Sequence, residues 1–114
     1  MTDRTNNLVA QVVLTDGNIR NHHFYLRGQL HRFPDDAIGG SNKASAAERA
    51  LTIDWGGPEP VETDIDGSPS KQFFRKRAWI RRFFEANGAK AGDTVLVEET
   101  GPYRYRVRMQ RIGA

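Results

Sequence analysis

The chain has 114 residues, of which 17 are basic, 14 are acidic and 38% are hydrophobic. This length predicts a single domain over residues 1–114, with enough chain for a core that needs neither disulfides nor metal. The absence of cysteine excludes disulfides and thiolate metal sites, and no apolar run exceeds three residues, which excludes membrane-spanning helices. With the polar segment at residues 1–7, these features predict a cytoplasmic protein that has no membrane partner.

The basic residues are concentrated in the second part of the chain. Residues 1–70 carry six basic and ten acidic side chains, whereas residues 71–114 carry eleven basic and four acidic ones. If the second part clusters in the fold, this asymmetry predicts a basic face for a polyanion, usually nucleic acid. The alternative is a solvated surface on which arginine improves solubility.

The first third of the chain predicts one strand, one turn and one helix. Residues 8–14 are rich in β-branched side chains, which favour a strand. Residues 15–18 contain Asp-Gly and predict a turn, and the polar residues 19–23 that follow show no helical periodicity. Within residues 24–33, apolar side chains at i, i+4 and i+7 predict a helix that the next proline ends.

The middle of the chain predicts a long connector and two short strands. Residues 35–50 form the connector, in which residues 45–48 have the spacing of a capping box and predict one helical turn. Residues 51–55 and 61–65 alternate apolar and polar side chains, so each segment predicts a strand. Residues 66–70 contain glycine, proline and serine and predict a loop.

The last third predicts the most regular elements. Residues 71–77 are very basic and predict a strand around two phenylalanines. Residues 79–84 carry apolar side chains on one helical stripe, and Gly88 is suited to end that helix in the left-handed conformation. Residues 94–98 and 103–110 predict strands, and the second strand alternates apolar side chains with arginines that we expect on its water-facing side.

Together these elements predict a mainly β domain of the α+β class. They amount to about five to seven short strands and two short helices, with turn signals about every ten residues. This spacing favours a barrel or a sandwich over a parallel α/β sheet, because closure removes the exposed edges of short strands.

The catalytic patterns of small nucleases are missing from the sequence. No lysine follows an acidic residue at a spacing of two, and no histidine precedes a lysine at that spacing. His22 and His23 are adjacent and would point to opposite faces of a strand, so they do not favour one metal ion. Residues 64–67 predict a turn rather than a calcium loop, and residues 39–41 lack the lysine of a nucleotide-binding loop. We therefore expect no enzyme activity, no metal and no cofactor.

Residues 74–84 and 91–95 carry a basic strand, a tryptophan helix with paired aromatics, and a Gly-Asp turn before an apolar strand. In this order they resemble the DNA-binding pseudobarrel family, which comprises plant B-three domains and the DNA-reading domains of bacterial EcoRII-type and BfiI-type restriction endonucleases. Residues 24–34 resemble the first helix of that family, and the connector at residues 35–50 is closer to the bacterial type. The resemblance implies an open seven-stranded pseudobarrel with two short flanking helices.

The resemblance also implies a partner and a binding mode. Such domains bind double-stranded DNA sequence-specifically and grip the major groove with two arms, which correspond to residues 18–23 and 67–77 here. Residues of the connector would hold the DNA backbone. The candidate DNA contacts are Arg20, Asn21, His22, His23, Ser41, Asn42, Lys43, Lys71, Gln72, Arg75, Lys76 and Arg77.

Within the second arm, different side chains suit different contacts. Lysine and arginine neutralise phosphates, whereas arginine and glutamine also pair with base edges, so we expect Gln72 with Arg75 or Arg77 to read bases. A rival interpretation pairs Arg77 with a nearby acid, Asp64 or Asp66, and makes it structural.

Two alternatives to a DNA-binding module without catalytic activity stay open. One is a protein-interaction or antitoxin-like barrel, and the other is the DNA-reading subunit of a restriction system with a separate nuclease chain. Salt dependence separates DNA from protein partners, because phosphate binding weakens steeply as salt rises. The DNA-binding interpretation places the protein on the nucleoid.

Overall fold

The computed structural model describes residues 7–112, which form an α+β domain of eight strands and two helices. The strands are β1 (Leu8–Val13), β2 (Ile38–Gly39), β3 (Leu51–Asp54), β4 (Val61–Thr63), β5 (Ile65–Asp66), β6 (Phe73–Phe74), β7 (Thr94–Gly101) and β8 (Arg104–Gln110). The helices are α1 (Asp16–Asn21) and α2 (Ala78–Asn87).

The larger sheet contains five strands in the order β1-β7-β8-β3-β4. Neighbouring strands run antiparallel, except that β8 and β3 run parallel. The pair β7 and β8 is the longest and begins with Thr94 opposite Gln110. On β8, Tyr105 and Val107 are buried while the arginines beside them are exposed, which confirms the predicted alternation.

The smaller sheet contains three strands in the order β2-β5-β6. Strand β2 runs parallel to β5, and β6 runs antiparallel to it. In this register Ile65 lies between Ile38 and Phe74. The smaller sheet therefore brings the connector that follows β2 next to the basic segment that contains β6.

Within residues 7–112, hydrogen bonding joins the strands into two separate sheets and not into one closed barrel. The α+β class and the two short helices are confirmed, whereas there are eight strands instead of the expected seven. One reason is that the single strand predicted at residues 61–65 is interrupted at Asp64. Its first part, β4, pairs with β3, and its second part, β5, pairs with β6.

The predicted α2 stripe forms the centre of the core. Trp79 and Phe83 are only 4% and 1% exposed, and they belong to the same buried cluster as Val95 and Val97 of β7. Gly88 ends the helix with a φ of 58°, as its lack of a side chain allows. The predicted helix and the burial of its apolar stripe are confirmed.

The first helix lies earlier in the chain than predicted. Helix α1 occupies residues that were expected to form a turn and a polar arm without helical structure. The Thr15 hydroxyl accepts a hydrogen bond from the Asn18 amide at 3.2 Å, and the Asn18 side chain accepts one from the Thr15 amide at 3.0 Å. This capping box starts a helix too short for apolar periodicity to reveal it.

The helix predicted at residues 24–33 is wrong. Phe24 and Leu26 are both fully buried, as alternate side chains are in an extended chain that crosses a core. Gly28 then adopts a φ of 76°, and only Leu30–Arg32 forms a single 3-10 turn. The segment that resembles the first helix of the pseudobarrel family is therefore mostly non-helical.

The connector and the basic segment also differ in detail from prediction. The helical turn expected at residues 45–48 lies instead at Lys43–Ser45, because the Asn42 side chain caps it there. The strand expected at residues 71–77 is limited to β6. The strand expected at residues 51–55 is confirmed as β3.

Candidate nucleic-acid interface

Residues from the connector and from the basic segment line one cavity of about 450 Å³, which we call the basic groove. The Gly67 amide, in the loop before the basic segment, donates to the Gly39 carbonyl at 2.9 Å, which holds that loop beside the connector. The groove contains seven of the predicted DNA contacts. Its lining residues are Ser41, Asn42, Lys43, Asp66, Lys71, Phe73, Arg75, Lys76 and Arg77.

A second cavity, of about 530 Å³, lies beside the start of α2, and we call it the α2 groove. Its lining residues are Asn21, His22, Arg77, Ala78, Arg81, Arg82 and Glu85. Arg77 lines both cavities. Residues of the two predicted arms therefore lie on either side of Arg77, and the two grooves border each other at this side chain.

Arg75 is engaged inside the protein. Its Nε and Nη2 atoms donate to the two carboxylate oxygens of Asp64 at 2.7 and 3.0 Å. Nη2 and Nη1 also donate to the carbonyls of Gly40 and Asn42 at 2.7 and 3.2 Å. The hydrogen bonds with Asp64 raise the pKa of Arg75 above its ordinary value. Arg75 thus ties the connector to the basic segment, and it has the structural role that the rival interpretation gave to Arg77.

Lys71 is partly engaged and partly available. Its ammonium lies 3.7 Å from the carboxylate of Asp66 and 3.4 Å from the carbonyl of Ser41, while its side chain is 44% exposed. Burial raises the pKa of Asp66, but hydrogen bonds from Ser68 and the charges of Lys71 and Arg75 outweigh it and hold that pKa below its ordinary value. Asp66 is therefore a charged side chain in the lining of the groove, although only 3% of it is exposed.

The glycines of the connector serve packing. A Cβ atom on Gly39 would lie 2.6 Å from both the Ala47 amide nitrogen and the Ser45 carbonyl oxygen, so no larger residue fits there without a shift of the backbone. Asn42 caps the turn through its side chain, which accepts from the Ser45 amide at 3.0 Å. The connector is thereby folded tightly on itself, with Lys43 exposed on its outer side.

Three cations of the basic groove project into solvent. Lys43, Lys76 and Arg77 are exposed, and among residues 7–112 none of them forms an ion pair with a carboxylate. Their backbone is nevertheless fixed: the Lys76 carbonyl accepts from Trp79 Nε1 at 2.7 Å, and the Lys76 amide donates to the Thr63 hydroxyl at 2.9 Å. These side chains are therefore presented from a rigid support.

The first predicted arm contributes from the end of α1. Arg20 and Asn21 are exposed, and the Asn21 side-chain amide donates back to the Gly17 carbonyl at 3.0 Å. His22 ends the helix with a φ of 54°, a conformation that residues other than glycine seldom adopt. Asn21 and His22 reach the α2 groove, whereas Arg20 lines neither groove.

Five side chains from both arms form one contacting cluster of three rings and two guanidinium groups, which we call the aromatic ladder. The Arg27 guanidinium lies 3.9 Å from the Tyr25 ring centroid, and the Tyr25 ring lies 4.8 Å from that of His23. The His23 ring stacks on Phe73 at 5.4 Å, and the Tyr25 ring also lies 5.9 Å from that of Phe73. The Arg77 guanidinium lies over Phe73 at 4.7 Å from the ring centroid. The first arm therefore continues to Arg27 and is joined to the second through aromatic contacts.

His23 is half-buried in the ladder and contacts both Tyr25 and Phe73. Burial lowers its pKa, and the positive charges of Arg77 and Arg27 lower it further. Its Nδ1 atom is buried and has no hydrogen-bond partner within residues 7–112. Because protonation would place an unpaired N–H there, we expect His23 to be uncharged at neutral pH.

Sequence reasoning missed Tyr25 and Arg27. The available signal is the alternation in which His23, Tyr25 and Arg27 face the surface while Phe24 and Leu26 face the core. The helical spacing assigned to residues 24–33 concealed this pattern.

No protein-family model and no curated protein matches this chain. Among residues 7–112, no group of three or more histidine, aspartate or glutamate side chains is placed to hold a metal ion. In the same part of the chain, no helix combines the length and apolarity that crossing a bilayer requires. The resemblance to the pseudobarrel family therefore rests on the residues that carry it, and function has to be argued from the interface itself.

Proposed function

We propose that the domain binds double-stranded DNA sequence-specifically and has no catalytic activity of its own. The observation that carries the proposal is the position of Arg77, which is exposed and lines both the basic groove and the α2 groove. Around it, polar and basic side chains from three segments distant in sequence share one surface. Such a surface suits the phosphates of a duplex, which attract clustered lysine and arginine side chains.

The acids beside the basic groove do not neutralise its exposed cations, whereas in the α2 groove the exposed carboxylate of Glu85 lies 3.3 Å from Arg81. Asp64 and Asp66 are only 8% and 3% exposed, and they face inward to Arg75 and Lys71. Both carboxylates form ion pairs with these two cations. The exposed cations of the basic groove therefore keep their full attraction for an anionic partner.

We propose that different residues contact bases, contact phosphates or hold the connector in place. Arg77 is the best placed to meet base edges, since arginine pairs bidentately with guanine. Gln72, which lines neither groove, is the proposed contact for adenine. Arg75 positions the connector. The residues assigned to phosphates and to the flanks of the site are Arg20, Asn21, His22, His23, Ser41, Asn42, Lys43, Lys71 and Lys76.

We also infer that the two sheets form an open pseudobarrel around a shared core. In support of this arrangement, the Phe33 ring lies 6.2 Å from Phe74 of the smaller sheet and 5.2 Å from Tyr105 of the larger one. One side chain thus packs against both sheets.

The proposed function includes the case in which the domain binds DNA for a separate nuclease chain.

Two binding experiments test the proposed function. In a salt titration with a random duplex, we expect log K to fall against log salt with a slope of about −4 to −5, as for four to six phosphate contacts. Selection from a random duplex library, with and without methylated bases, should then enrich one sequence. A failure to bind any duplex at low salt would contradict the proposal, and an affinity that is insensitive to salt would favour a protein partner.

A further inference from the structure

The two arginines of the aromatic ladder are held in the same way. Arg27 and Arg77 are both exposed, and each lies with its guanidinium over an aromatic ring. Among residues 7–112 neither is ion-paired with a carboxylate. Stacking holds a guanidinium through its face and leaves its N–H groups directed outward. Arg27 uses one of them, for the Ser70 carbonyl at 3.3 Å, whereas Arg75 engages nearly all of its donors internally.

The backbone around the ladder is held in an unusual conformation on both sides. His22 precedes His23 and has a φ of 54°, and Gln72 precedes Phe73 and has a φ of 53°. Left-handed backbone is unfavourable for residues other than glycine and persists where the surroundings enforce it, often at functional sites. The two segments are also hydrogen-bonded to each other, since the Leu26 amide donates to the Gln72 carbonyl at 2.7 Å.

These observations separate the ladder from an ordinary surface cluster. Two strained turns and a backbone hydrogen bond fix the rings, and the rings fix two arginines whose remaining donors point to solvent. A side chain that is held in place before binding loses little entropy when it binds. The arrangement therefore favours contacts at both ends with one rigid partner.

We propose that Arg27 is a second arginine contact on the bound DNA duplex, gripping a backbone phosphate at the flank of the site, and that Tyr25 is its positioning residue. The inference rests on the proposed function. Arg27 lines neither the basic groove nor the α2 groove, so it lies beside the surface where Arg77 meets bases. Contacts at such flanks go to phosphates, which fix register without reading sequence.

The test measures duplex affinity for Arg27→Ala, with Arg104→Ala on the exposed face of β8 as the control for loss of one positive charge. We expect Arg27→Ala to bind about tenfold more weakly, to reduce the salt slope by about one and to keep the sequence preference. Arg104→Ala should bind like the unaltered protein.

Tyr25 variants test the positioning role. Tyr25→Phe keeps the ring beneath Arg27 and should bind normally, whereas Tyr25→Leu removes it and should weaken binding several-fold although the charge of Arg27 remains. Thermal melting of each variant identifies loss of fold. Equal affinity of Arg27→Ala and Arg104→Ala would overturn the inference and leave the proposed function intact, as would normal binding by Tyr25→Leu. Absence of duplex binding by the unaltered protein would overturn both.

Discussion

Two regions of the molecule are rich in arginine, yet their electrostatics differ. On the outer face of β8, Arg108 donates to both carboxylate oxygens of Glu98 at 3.0 and 3.2 Å, and Arg106 lies opposite Glu98 on β7 and Asp54 on β3. Acids thus accompany this arginine face at the surface. In the basic groove the acids are buried beneath the cations instead. The position of the acids, more than the number of arginines, therefore distinguishes a surface suited to a polyanion.

A second contrast lies within the basic segment itself. Arg75 and Arg77 are two residues apart, but Arg75 binds Asp64 in the interior and Arg77 projects between two grooves. We expect loss of the first to affect folding and loss of the second to affect binding. Four predictions test these contrasts, in order of decreasing effect.

The largest effect is expected for Arg75→Ala. This substitution leaves the carboxylate of Asp64 buried without its partner and should lower the free energy of unfolding by about 3 kcal/mol. Arg108→Ala, which breaks an exposed pair on β8, should cost at most about 1 kcal/mol. Chemical denaturation measures both. The double variant Asp64→Ala/Arg75→Ala should be more stable than Arg75→Ala, because it no longer buries an unpaired carboxylate. If the two variants were equally stable, the unpaired carboxylate would not be the cause of the destabilisation.

Arg77→Ala should change DNA binding without changing stability. Truncation of a base-reading arginine costs about 1–3 kcal/mol of binding free energy and relaxes preference at one position. Arg106→Ala is the matched control on β8 and should leave both affinity and preference unaltered. Binding-site selection on the two variants measures the difference. An unchanged preference in Arg77→Ala would move base reading to the segment from Arg20 to His23.

Lys43→Ala should weaken binding to all sequences alike. Its ammonium is exposed on the connector and is assigned to a phosphate, so its removal should reduce the salt slope by about one. Lys90→Ala, in the turn between α2 and β7, removes the same charge from another side of the protein. An equal change of slope in both variants would show that net charge alone governs the affinity.

The smallest effect concerns acid stability. Since the pKa of His23 is lowered in the folded protein, the unfolded chain binds more protons, and stability should be complete above about pH 6.5 and decline as the pH falls below it. His23→Phe should remove this part of the decline, while His31→Ala on an exposed turn should retain it. Denaturation midpoints between pH 5 and 8 measure the effect. An unchanged pH profile in His23→Phe would contradict the buried, neutral state of His23.

Much of the fold was predictable wherever burial imposes a regular period. The apolar stripe of α2 and the alternation of β8 predicted both elements because each has one face in the core. Helix α1 was not predictable in this way, since it depends on hydrogen bonds between Thr15 and Asn18. The segment at residues 24–33 has apolar residues at helical spacing by coincidence, although its chain is extended through Leu26.

The candidate site was predictable as a set of residue types but not as an arrangement. The basic segment and the polar arm were recognisable from their composition. The roles of Arg75 and Arg77 depend on Asp64 and on the carbonyls of Gly40 and Asn42, which the pairing of β2, β5 and β6 brings near. Such long-range contacts leave no local pattern in the sequence.

We propose that the exposed cations of the basic groove and the α2 groove, and not the overall positive charge, bind the duplex. The most direct test compares two double variants that lose the same charge, Lys43→Ala/Arg77→Ala in the grooves and Arg104→Ala/Arg106→Ala on β8. We expect the groove variant to bind a selected duplex about 100-fold more weakly, with a salt slope reduced by about two, and the β8 variant to stay within about threefold of the unaltered protein. Equal losses in the two variants would contradict the claim.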